Sequence, residues 1–129
     1  MSEFRNNGAI GALLDEYERA IVDLQITIND ITDEEMKTVV DHETKDPSCK
    51  SIQTILTHVI RSGYWYVTEV RMSLGEKVDI MPDKFFESSE EYHEELNYMF
   101  QYNEQLFDDH PDIKVEEYDN QKKIVVRWG

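Results

Sequence analysis

Ser51-Ile52-Gln53-Thr54-Ile55-Leu56-Thr57-His58-Val59-Ile60-Arg61-Ser62-Gly63-Tyr64-Trp65-Tyr66 carries the clearest helical period in the chain and its most distinctive histidine. Ile52, Ile55, Leu56, Val59, Gly63, Val67, Val70 and Leu74 recur at steps of about one helical turn, which predicts a helix from about Ser51 to Leu74 with one apolar stripe. Its ends agree with its interior. Ser51 stands where a hydroxyl can accept a bond from an orphan first-turn amide, and Gly75 follows Leu74 as a left-handed residue closing a helix would.

Two further helices flank this one. Ile10, Leu13, Leu14, Tyr17, Ile21, Leu24 and Ile28 predict a helix from about Gly8 to Ile31, and Tyr92, Leu96, Met99, Phe100, Leu106 and Phe107 predict one from about Ser89 to Asp109. Ser88-Ser89-Glu90-Glu91 reads as a capping box, and Thr32-Asp33-Glu34-Glu35 as a second that starts a short helical turn. His110 precedes Pro111, where the last helix should stop, and all three prolines fall between helices. The expected fold is all-α, an antiparallel, up-and-down helical bundle of three long helices in one domain spanning 1–129. The tail differs: Asp112 to Glu116 and Lys123 to Trp128 are β-prone, and Asp119-Asn120 can turn between them, which makes a hairpin an expectation there. Three broad apolar stripes bury themselves best against a fourth helix, and none follows Trp128-Gly129. The hairpin covers the open groove, a partner chain does, or the chain is a fragment, incomplete at its C-terminus. Association, as a homodimer, is expected on the same ground.

The chain has 129 residues, with 13 basic and 28 acidic side chains and a net charge of −15. That length suits one domain able to bury roughly two-thirds of its unfolded surface. So acidic a balance argues against nucleic acid, whose affinity rests on Lys and Arg neutralising phosphates, and against an anionic membrane surface. No apolar run approaches the roughly 20 residues of a spanning helix. A single cysteine, Cys49, excludes an internal disulfide and a Cys-rich zinc cluster, and the expected address is a reducing cytoplasm. No glycine-rich phosphate loop or His-Glu-x-x-His helix is present.

The segment from Ser51 to Tyr66 resembles the second helix of the DinB/YfiT-like family, in which a serine opens the helix, a metal-binding histidine follows about two turns later, and an aromatic pair comes next. The amphipathic helix from Gly8 to Ile31, the acidic turn Thr32-Asp33-Glu34-Glu35-Met36 and the closing Trp128-Gly129 fit the same family over nearly the whole chain. The resemblance implies a four-helix bundle, often dimeric, with a divalent metal (zinc, nickel or iron) held by three histidines in a groove. It also implies a thiol-dependent transferase or isomerase acting on a small-molecule thiol and an electrophile. Many members carry a DNA-damage-inducible label, which describes expression. On this resemblance His58 is one metal ligand, Trp65 and Tyr66 shape the groove mouth, and the other two ligands are a His-x-x-x-His pair on a last helix beyond the Trp-Gly. The four histidines here, His42, His58, His93 and His110, include no such pair, so residues 1–129 alone should bind metal weakly or not at all. The rival expectation is a non-catalytic dimerising or ligand-binding module.

The remaining candidates read more plainly as structural residues. Glu90-x-x-His93 has di-iron spacing but no second copy, and Glu90 suits a helix N-terminus. His110 can serve a helix end, and His42 lies in a polar segment. Cys49 lies just ahead of a helix start, which can lower a thiol's pKa, but no base accompanies it in sequence. Asn103 falls on an apolar stripe and should bond a neighbouring helix or line a groove, while Gly63 on another stripe implies close helix packing.

Overall fold

The computed structural model describes residues 8–79 and 84–113, and every regular element among them is helical. The long helices are α1 (Gly8–Ile28), α3 (Ile52–Ser73) and α4 (Ser89–Asp109), with a single short helix α2 (Asp33–Lys37) and a 3₁₀ turn over Pro47–Cys49. The expected tail hairpin lies outside the described residues, apart from the turn at Pro111 and Asp112. None of the described helices is long and apolar enough to cross a membrane.

The caps fall where side-chain chemistry places them. The Ser51 hydroxyl accepts from the Thr54 N–H, and the Thr54 hydroxyl in turn accepts from the Ser51 N–H. Thr32 and Glu35 form the reciprocal box that opens α2. Ser88 caps α4 by accepting from the Glu91 N–H, and the Asp33 carboxylate accepts from the Ser89 N–H, so α2 helps close the start of α4. Gly75 takes φ +90°, a conformation open to glycine at little cost, and stops α3. α1 is shorter than its stripe: it ends at Ile28, because Asn29 and Asp30 favour a turn that carries Ile31 past the helix.

α4 is the shared partner of the other two long helices, while α1 and α3 barely touch one another. Gln25 near the end of α1 donates to Asn97 and to the His93 carbonyl near the start of α4, and Tyr17 meets Met99 and Phe100 further along, so α1 runs antiparallel to α4. Against α3 the pairs advance together: Thr57 with Tyr92, Gly63 with Met99, Tyr64 with Tyr102, Arg71 with Asp109. α3 and α4 are therefore parallel, and this departs from an antiparallel order throughout. Periodicity identifies which face is apolar, but not the direction in which its partner runs. The parallel pairing requires the chain to return along α3, and Phe86 is back at its start, its carbonyl accepting from the Gln53 amide.

One core follows from this arrangement. Leu14, Ile21 and Ile28 of α1, Leu56 and Ile60 of α3, and Tyr92, Leu96, Met99 and Phe100 of α4 form it, with Met36 of α2 and Phe86 buried at the end where α3 and α4 begin. Tyr92, Met36, Leu56, Leu96 and Met99 are the largest fully buried side chains, each contributing about 1.5–3 kcal/mol through burial. Tyr92 also places a polar atom in this core and satisfies it: its hydroxyl accepts from the Phe86 N–H and shares a 2.6 Å hydrogen bond with Thr57 Oγ1. Removing only that oxygen leaves two buried groups unpaired. Tyr92→Phe should cost about 1–3 kcal/mol in urea unfolding with an unchanged m-value, and a cost near zero would show that the hydroxyl is solvated instead.

Candidate functional site

α3 presents a polar flank away from the core, with His58, Ser62, Trp65 and Glu69 one or two turns apart and all half-buried. His58 and Trp65, which the resemblance assigns to one groove, share this flank. Nδ1 of His58 and Nε1 of Trp65 are shut from water and have no hydrogen-bond partner among the described residues. Two orphaned ring nitrogens within two turns are unusual, because a buried unsatisfied polar atom costs about 1–3 kcal/mol.

The 3₁₀ turn borders the start of the same helix. Asp46 caps it, accepting from the Ser48 N–H at 2.9 Å, and that bond, together with a Cys49 hydrogen bond and the nearby charge of His58, holds its carboxyl below the ordinary value. Cys49 donates to Asp46 Oδ2 at 3.6 Å. Loss of water around the sulfur, then the Asp46 carboxylate beside it, push the thiol's pKa up, so the helix start does not activate Cys49. Among the described residues no group of three His, Cys, Asp or Glu side chains converges on a point where an ion could sit.

The other histidines are dispersed. His42 is exposed, and His93 is half-buried with its carbonyl taken by Gln25. Asn103 bonds the Met99 carbonyl of its own helix rather than a neighbour. Gly63 does allow close packing, since a Cβ there would collide with the Met99 side chain.

A second polar cluster, unanticipated from sequence, closes the far end of the α3–α4 pair. Arg71, with only 7% of its side chain exposed, donates to both Glu76 oxygens at 3.2 and 3.1 Å and to Asp109 Oδ2 at 2.9 Å, and its guanidinium lies 5.4 Å from the Tyr102 ring centre. His110 Nε2 meets Glu76 Oε2 at 2.6 Å. The parallel helices bring two negative C-terminal dipole ends together here, and a buried cation between them is favourable. Burial, then the charge of Glu95 and the neighbouring Tyr102, push the Tyr64 phenol up to about 12. A signal existed: Arg71 continues the spacing of Leu56, Ile60, Gly63 and Val67, a charge on the face turned toward α4. Both carboxylates and both terminal nitrogens of the guanidinium are engaged in holding helix ends, so this cluster is a clamp.

No protein-family model matches the chain, and neither a curated protein nor a solved structure matches it.

The clamp has a pH signature. Hydrogen bonds from His110 and then Arg71 depress the Glu76 pKa, and those from Gln105 and then Arg71 depress that of Asp109. Groups whose folded pKa is lowered add stability above their unfolded values, and that stability is lost as pH falls through the lowered ones. Urea midpoints should therefore fall below about pH 4, and Glu76→Gln should flatten that limb while lowering stability at neutral pH. An unchanged limb would mean that the clamp does not form.

Proposed function

We propose that the chain is the helical body of a DinB/YfiT-like, divalent-metal-dependent enzyme acting on a small-molecule thiol and an electrophile, with His58 as one ligand of the metal. The observation that carries this is the orphaned Nδ1 of His58 on a half-buried flank beside the acidic Asp46 turn. An imidazole held out of water without a partner is suited to zinc, nickel or iron, and ligation would remove its cost. No group of three such side chains converges among the described residues, and this reading assigns the remaining ligands to residues outside them. Cys49, a free and exposed thiol, is consistent with a reducing cytoplasm as the place of action.

One observation favours a second reading, a non-catalytic module that assembles through its helices: Leu13, Ile55 and Tyr66 are large, apolar and exposed on α1 and α3. Metal content separates the two. The longest natural form of the protein, purified without chelator, should carry stoichiometric divalent metal by elemental analysis and lose it in His58→Ala. Residues 1–129 alone should bind zinc weakly in calorimetry at a pH where imidazole is neutral. Tight binding that survives His58→Ala, or a metal-free natural form, would remove the enzyme reading and leave the module.

A further inference from the structure

Among the described residues, buried polar side chains are paired almost throughout. Gln25 donates to Asn97 and to the His93 carbonyl, Thr57 and Tyr92 share a bond, and the Tyr92 hydroxyl also accepts from the Phe86 N–H. Arg71 leaves Nε open, but its two terminal nitrogens are bonded within the clamp. The exceptions that no local bond explains are Nδ1 of His58 and Nε1 of Trp65, both on one flank of α3. Metal ligation would answer for His58 and leaves Trp65 without a partner.

An indole N–H donates and does not accept, so neither a metal ion nor another donor can satisfy it. Its partner has to bring an acceptor oxygen or nitrogen. Trp65 stands seven residues after His58, about 10 Å along the helix axis and about 20° around it, with half-buried Ser62 between them. Both side chains lean toward the helix N-terminus, so that spacing carries over to their polar ends. A small molecule with a chain of about six atoms covers the distance, together with the contacts at its two ends.

The surroundings select the kind of acceptor. Half-buried Glu69 is one turn beyond Trp65, and the Asp46 carboxylate lies near enough to His58 to respond to its charge. Arg61, one turn before Trp65, is exposed and already has a partner. A carboxylate brought to the indole would face these acids in a chain of net charge −15, whereas an amide carbonyl accepts the same bond without repulsion. We propose that the Trp65 indole N–H donates to a neutral amide carbonyl of the small molecule bound on this flank, so that Trp65 selects thiols carrying an amide. The thiol end of this molecule rests on the metal reading of His58. The indole contact rests on the unpaired nitrogen of Trp65 itself.

The test uses the longest natural form of the protein, isotope-labelled and with zinc added, and follows the Trp65 indole N–H by NMR. N-acetylcysteamine joins a thiol to a neutral amide, 3-mercaptopropionate joins one to a carboxylate, and 1-propanethiol has the thiol alone. N-acetylcysteamine should move the indole proton downfield and saturably, and 1-propanethiol should leave it in place. Trp65→Phe, which keeps a ring and removes the N–H, should weaken N-acetylcysteamine about tenfold and leave 1-propanethiol unchanged. The shift is read on the unaltered side chain, so it decides the matter even where Trp65→Phe fails to fold. Equal shifts from N-acetylcysteamine and 1-propanethiol, or tighter binding of 3-mercaptopropionate, would overturn the proposal. His58→Ala separates it from the metal reading. An indole shift that survives His58→Ala keeps the Trp65 contact and removes the metal, while thiols that bind through His58 and leave the indole unmoved keep the metal and remove the contact. A protein that takes none of the three probes overturns both.

Discussion

The close approach of α3 and α4 at Gly63 and Met99 is the contact on which the rest of the structure depends. Glycine in a helix interior costs about 1 kcal/mol relative to alanine, and here that cost admits the Met99 side chain into the space a Cβ would fill. Met99 is fully buried, and its sulfur also accepts from the Tyr17 hydroxyl of α1 at 3.7 Å. One flexible, polarisable side chain therefore joins all three long helices at the middle of the core. Overpacking at that point would separate α3 from α4 along their length.

Parallel alignment of those two helices then determines what each end must contain. At their starts, several first-turn amides need acceptors in one place, and Ser51, Ser88 and Asp33 supply them while Tyr92 ties Phe86 to Thr57. At their ends, two negative dipole termini meet and Arg71 is buried between Glu76 and Asp109. α1, running antiparallel, sets its C-terminal turn beside the start of α4 and binds α4 through Gln25 and an apolar face. Most of the polar side chains between the helices thus serve the fold. Nε of Arg71 lacks a partner inside the clamp, and the other buried side-chain atoms without one among the described residues are the ring nitrogens of His58 and Trp65. Their shared flank is set apart on that ground.

Much of this was legible in the residues themselves. Helix boundaries were readable because caps are local chemistry: Ser51, Thr32, Ser88 and Gly75 act within a few residues of where they stand. The close packing at Gly63 was readable because a glycine that weakens its helix on an apolar stripe points to a neighbour pressed against it. The direction of α4 was not, since a stripe of Tyr92, Leu96 and Met99 looks the same whichever way its partner runs. Asn103 was expected to bond a neighbouring helix or line a groove, and its amide donates to the Met99 carbonyl of its own helix, a bond that spacing does not encode. The candidate flank was legible only as His58 and Trp65 two turns apart on α3. The orphaned nitrogens were not, because burial at atomic detail depends on what surrounds the flank.

Clamp and core both stand on the parallel placement of α3 on α4 through Gly63 and Met99. NOE spectroscopy along the pair tests it most directly. Parallel packing predicts cross-peaks from the Tyr92 ring to Thr57 near the helix starts and from the Tyr102 ring to the Tyr64 ring further along, on either side of the Met99 contact with Gly63. Cross-peaks from Tyr92 to the C-terminal half of α3 in place of Thr57 would contradict it.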